Sequence, residues 1–141
     1  MVLPTLPSRA SLRSGLSVTS RLLMCALFVI SGTGKLAAVD ATKKYMETYG
    51  VPGYLVYPAA AFEIGSAMML LMGQFPKELA IMLAGWCLLT AFIFHRDFDD
   101  QNQQFNFFKN LAMAGGFIVL ADIDAGRVER QRDVEEGGIK L

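Results

Sequence analysis

Four apolar runs succeed one another in a chain of 141 residues and leave few folds open. They cover roughly 18–38, 55–73, 79–94 and 105–121, and each is close to the ~17–25 residues a helix needs to cross the hydrocarbon core of a bilayer. The third and fourth are the shortest, and polar residues such as Glu78 and His95 extend them into the headgroup layer. Hydrophobic residues make up 53% of the chain and charged ones 18%, too apolar a balance for an ordinary soluble domain. The fold expected is all-α: an integral membrane four-helix bundle, one domain over 1–141, with a short interfacial helix at about 40–49 between the first two spans.

The placement of charge sets the expected topology. No acidic residue precedes Asp40, whereas Arg9, Arg13 and Arg21 precede or open the first span and Arg127, Arg130, Arg132 and Lys140 follow the last. Basic residues collect on the cytoplasmic side, so both termini are expected in the cytoplasm, with Lys77 in an inner loop. The net charge is zero, so no global field exists to recruit nucleic acid. The Arg- and Ser-rich start has the composition of a leader, but the apolar run continues through Gly32 and Gly34 to Val39 without an A-x-A-like site; it is expected to remain as the first span. Cys25 and Cys87 fall in different spans at depths differing by roughly 6 Å at 1.5 Å per residue. Adding the separation of the helix axes exceeds the reach of a disulfide, so both are expected to act as small buried apolar side chains.

The connections carry their own signals. In DATKKYMETYGVPGY, Asp40 is placed to cap a helix, Gly50 to end it and Pro52 to prevent its continuation. Tyr45, Met46 and Tyr49 share one face of that helix, with Lys43, Lys44 and Glu47 turned to water. Gln74–Lys77 with Pro76 reads as a tight turn, making the second and third spans a hairpin. HRDFDDQNQQ is acidic, but it lacks the length and glycine of a calcium loop and reads as a solvated connection. Tyr54, Tyr57, Phe94, Phe98, Phe105, Phe107 and Phe108 gather where an interfacial aromatic belt belongs. Small residues four apart (Ala61 and Gly65, Ala80 and Ala84, Ala112 and Gly116) and the Gly32, Gly34 pair are expected to let helix backbones approach closely.

Lys109 is the residue that asks for a function. It lies inside FNFFKNLAMAGGFIVLAD, and a cation at hydrocarbon depth costs about 2.5 to 3.5 kcal/mol unless it snorkels or finds a partner. Ordering the polar residues by depth places Lys35, Glu63, His95, Asn106, Lys109 and Asn110 in the same, outer half of the bundle. Asn106, Lys109 and Asn110 fall at i, i+3 and i+4 on one helix face. In one reading Glu63 pairs with Lys109 or Lys35 and the network fixes helix register. In the other, the same groups bind a polar head group such as a quinone carbonyl, or relay protons with Glu63 as carrier. Trp86, near the middle of the third span, needs an internal partner or a ligand for its indole N–H. One histidine and two cysteines at unrelated depths build no haem, zinc or iron–sulfur site, and no phosphate loop or nucleophile elbow is present. No intrinsic cofactor, no metal site and no catalytic residue are expected.

Several of these residues form a recognisable pattern. Arg21, the SGTGKL segment at Ser31–Leu36, Glu63, and NFFKNLAMAGG at Asn106–Gly116 are similar, in order and spacing, to the DoxX family of small membrane proteins. That resemblance implies a four-helix bundle of the inner membrane. Because the family name derives from a subunit of an archaeal quinone-linked sulfur-oxidising system, it also implies a role beside a membrane or peripheral redox partner, with quinone as the ligand. The expectation is then a non-catalytic subunit or accessory factor of a redox or oxidative-stress complex. A carrier of a small solute or proton, or a structural assembly factor, are the alternatives.

Overall fold

No proline interrupts residues 9–51, so the first helix is free to begin well before its apolar stretch. A computed structural model describes residues 9–72 and 77–137. In it α1 runs from Arg9 to Ala37, and the chain then breaks at Ala38 (φ −127°, ψ 50°) into α2, Val39–Thr48. No side chain caps α2; Asp40 lies inside its first turn, where its charge complements the exposed N–H groups. The helix ends at Gly50, whose φ of +75° is the left-handed conformation glycine adopts freely. The Gly50 N–H donates to Glu47 O and the Val51 N–H to Met46 O, the paired bonds that close a helix C-terminus.

One turn of 3₁₀ helix (Gly53–Leu55) leads into α3, Val56–Leu71, and then come α4, Lys77–Phe94, and α5, Gln101–Gly137. Asp100 starts α5 by accepting the Asn102 N–H at 2.8 Å, and Asp97 accepts the Asp99 N–H at 3.2 Å. These carboxylates therefore order backbone, and no cluster able to hold a metal ion occurs among the described residues. The tight turn expected around Pro76 lies outside the described residues at 73–76. Three helical stretches, Val18–Ala37, Gly53–Leu71 and Lys77–Phe94, are long and apolar enough to cross a membrane. The fourth apolar run is not a separate element. It is one section of a 37-residue helix, about 55 Å long at 1.5 Å per residue, whose remainder is charged.

All the described regular structure is helical, and α1 packs chiefly on α3 and α4 on α5. Gly32 of α1 lies against Ala60 and Ile64 of α3, while Cys25 donates to Ala67 O, so the two helices run in opposite directions. The core collects Cys25 and Phe28 from α1, Ala67 and Leu70 from α3, Leu79, Leu83 and Cys87 from α4, and Ala114, Phe117 and Leu120 from α5. These residues form one core shared by the four long helices, and Phe28 and Cys87 at its edge also border the cavity that opens beside it. Both cysteines are free and buried there. Large apolar side chains outside this core, among them Leu23, Ile30, Met72, Ile81 and Ile118, are exposed on the outer faces, as lipid contact requires. Phe107 departs from the expected belt: it is buried, edge-on to Phe92, Phe98 and Phe108.

The glycines divide by neighbourhood. A Cβ at Gly32 would sit 2.7 Å from Ile64 Cγ1 and 3.2 Å from Ala60 O, so the missing side chain is what lets α1 and α3 touch. At Gly116 it would meet only the flexible end of Met24, at 3.1 Å. At Gly34 and Gly65 it would meet nothing within 4 Å, and Ala61 and Ala112 are exposed. Those four positions are thus at no close helix contact, because their helix faces point away from the neighbours that Gly32 and Gly116 face. Gly32→Val is expected to cost about 1 to 3 kcal/mol through overpacking, whereas Gly65→Ala is expected to be neutral or to gain up to ~1 kcal/mol from helix propensity. Unfolding midpoints in detergent check both; equal losses at the two sites would contradict this division.

Candidate functional site

Beside the common core the helices separate around a cavity of about 950 Å³. Lys35, Glu63, His95, Asn106, Lys109 and Asn110 all line it. The rest of its wall is chiefly apolar, with Leu27 and Phe28 from α1, Phe62 from α3, Met82, Leu89 and Ile93 from α4 and Met113 from α5. Its volume is at the upper end of the ~300–1,000 Å³ usual for small-molecule sites, and a mostly apolar wall with a few convergent polar groups is their usual make-up.

Glu63 is the electrostatic centre. It is buried on α3, and Lys35 Nζ donates to its two oxygens at 3.0 and 2.8 Å. Lys35 also donates to Ser31 Oγ at 2.7 Å, one turn back on α1. The Trp86 Nε1–H donates to Glu63 Oε1 at 3.0 Å, and its ring packs on Phe62 with centroids 5.0 Å apart. One carboxylate thus ties α1, α3 and α4 together. A charge taken out of water is tolerable when paired and when its remaining lone pairs are satisfied, and both conditions are met here.

Lys109 has a different surrounding. Its Nζ donates to Asn106 Oδ1 at 2.8 Å, one turn back on α5, and no ion pair joins it to Glu63 among the described residues. Of the two partners the sequence leaves open for Glu63, the structure takes Lys35, because α1 and α3 pack directly and Lys109 points into the cavity from α5. Asn110 is buried, and its amide makes no hydrogen bond to any described residue.

The mouth is closed on one side by α2, whose Thr42, Tyr45 and Met46 reach the cavity wall. The Tyr45 OH donates to Phe94 O at 3.1 Å, and Gln103 Nε2 donates to the Tyr45 oxygen at 3.4 Å. Burial pushes the Tyr45 phenol up from its ordinary value, which keeps it protonated as a donor. Gln103 Oε1 lies 2.6 Å from His95 Nδ1, so His95, Gln103 and Tyr45 link α2, α4 and α5 at this end. Gln103 is not legible as a site residue in the sequence, and Ser31 is legible only as the first residue of the SGTGKL motif, although its i, i+4 spacing to Lys35 is a usable signal. Buried Gly53 holds α2 close: a Cβ there would come within 2.7 Å of Glu47 Oε1 and 2.9 Å of Lys43 Cβ.

The DoxX family model matches residues 16–96, more than half of the chain and all of α1 to α4 beyond the first turns of α1. The chain belongs to the DoxX family. Two curated relatives are inner membrane proteins. The chain is similar to the inner membrane protein YqjF of Escherichia coli (strain K12), 38% identical over 104 residues, covering 74% of this chain and 80% of the relative. It is also similar to the inner membrane protein YphA of the same organism, 29% identical over 127 residues, covering 85% and 91%. No solved structure matches. Of the cavity residues, Lys35, Glu63, Trp86 and His95 fall inside the family match; Asn106, Lys109 and Asn110 of α5 lie beyond it.

Proposed function

We propose that this DoxX protein is a non-catalytic accessory protein of the bacterial inner membrane that holds a lipid-soluble ligand in its cavity, and that the ligand serves a quinone-linked redox or oxidative-stress complex. The observation that carries the reading is the convergence of Glu63, Lys109 and Asn110 on one apolar-walled cavity of about 950 Å³. A quinone has two carbonyl acceptors on an apolar body, which suits donors set into apolar walls. One histidine and two cysteines at different depths build no redox centre, so in this reading electrons come from a partner or a bound cofactor. Purification in mild detergent, followed by extraction of bound quinone and mass spectrometry of co-eluting proteins, tests this. A co-eluting redox protein, with or without bound quinone, is the expected result, and a partnerless, quinone-free chain overturns it.

The reading as a proton carrier finds less support. Both oxygens of Glu63 are engaged by Lys35, and Oε1 by Trp86 as well, an arrangement that holds a carboxylate rather than one that passes a proton on.

The same proposal includes four crossings. The apolar section of α5 packs along α4 and supplies Phe117, Leu120 and Ala121 to the common core, which supports α5 as the fourth helix of a membrane bundle. An even number of crossings puts both termini on one side, and the arginines at each end place that side in the cytoplasm. Reporter fusions at the N- and C-terminus are expected to be active only in their cytoplasmic form. A periplasmic signal from one end alone would remove the fourth crossing, and one from both ends would invert the orientation.

A further inference from the structure

The cavity is not neutral. Lys35 and Glu63 cancel at 2.8 Å, and Lys109 is then left as a half-buried cation with no carboxylate partner among the described residues. Its one hydrogen bond, to Asn106 Oδ1, uses one of three N–H donors and turns the Asn106 amide so that its NH₂ is free. Asn110, one residue on and nine-tenths buried, lines the cavity with an amide that no described residue satisfies. The polar atoms of these three residues open onto a cavity whose walls are mostly apolar, and polar groups in such surroundings are ordinarily partnered, so a row of spare donors at i, i+3 and i+4 describes the missing partner. It has several acceptor oxygens and a negative charge. A neutral quinone carbonyl would meet the hydrogen-bonding need and leave the charge unmatched.

The walls describe the rest of the molecule. From the donor row the cavity runs along Met113, Leu27, Phe28 and Phe62, a volume far beyond that of a small inorganic anion. We propose that the cavity binds a single-chain amphiphile with an oxyanion head group, a carboxylate or phosphate, held by Lys109, Asn106 and Asn110 with its acyl chain against these apolar walls. The proposal rests on the reading of the cavity as a ligand site and replaces the neutral ligand there with an anionic one. Charge-assisted hydrogen bonds from Lys109 supply the discrimination, since they are roughly twice as strong as neutral ones.

Trp86 is the only tryptophan in the chain and lines the cavity, so its fluorescence reports occupancy directly. Purified protein in mild detergent is titrated with brominated stearate, its methyl ester, a brominated lysophosphatidate and a short-chain quinone. Saturable quenching is expected with an acid, with the methyl ester weaker by about tenfold or more. Which of stearate and lysophosphatidate binds tighter identifies the oxyanion. Lys109→Met is expected to abolish the preference for acid over ester, and Lys109→Arg to retain it. Because no carboxylate depends on Lys109, the methionine variant should keep its thermal midpoint, which separates loss of binding from loss of fold. Equal quenching by acid and ester, an unchanged preference in Lys109→Met, or displacement of the chain by inorganic phosphate at like concentration overturns the proposal. Saturable quenching by quinone in that event leaves the ligand-site reading standing; quenching by none of the four removes both.

Discussion

Glu63→Leu is expected to destabilise the protein by about 3 kcal/mol, and Lys35→Met in the same chain to restore most of that loss. Removing one member of a buried pair leaves the other charge uncompensated, which typically costs ~3–5 kcal/mol, whereas replacing both by apolar groups is often neutral or better. The lower end applies because the Lys35 side chain keeps 25% of its surface exposed, against 5% for Glu63. Some loss should persist in the double variant, since the Trp86 N–H also gives up its acceptor. Lys109→Met added to Glu63→Leu is expected to be additive, because Lys109 bonds to Asn106 and not to Glu63. The double-mutant cycle, followed by unfolding midpoints in detergent, therefore names the partner: rescue by Lys109→Met with none by Lys35→Met would contradict the geometry.

The sequence carried the helices and the depth of the polar residues because both follow from counting. Apolar runs at ~1.5 Å per residue place Lys35, Glu63, His95, Asn106, Lys109 and Asn110 at one end, and the structure brings all six to one cavity. Which cation meets Glu63 was not legible, because depth leaves rotation about each helix axis open. The choice between Lys35 and Lys109 depends on which faces of α1, α3 and α5 turn inward. Rotation likewise separates Gly32, wedged against Ile64, from Gly34 and Gly65 in open space, although all three read alike as small residues in apolar helices. The demand of the Trp86 indole for a partner was legible from its position. That the partner would be Glu63 was a tertiary fact, as was the cavity, since no periodicity signals where helices fail to pack.

Phe117→Ala is expected to cost about 2 to 3 kcal/mol while leaving ligand binding intact. Phe117 is fully buried and lines no part of the cavity; it lies edge-on to Phe28 with ring centroids 5.5 Å apart and joins α5 to α1 in the common core. A Phe→Ala change in a water-soluble core costs ~3–5 kcal/mol, part of it the transfer of apolar surface out of water. Between helices in lipid that transfer contribution is small, and what remains is the lost van der Waals contact and the void left behind, hence the lower figure. Met113→Ala supplies the contrast. Met113 is one turn away on the same helix, but it borders the cavity, so truncating it enlarges an existing space and removes fewer contacts. Its cost is expected to be ~1 kcal/mol or less, with its effect on the quenching of Trp86 by a brominated chain instead. The two truncations separate a core position that holds the helices together from a cavity position that something else completes. Similar stability losses at both positions, with unchanged quenching at both, would mean that the cavity is no more than a packing fault.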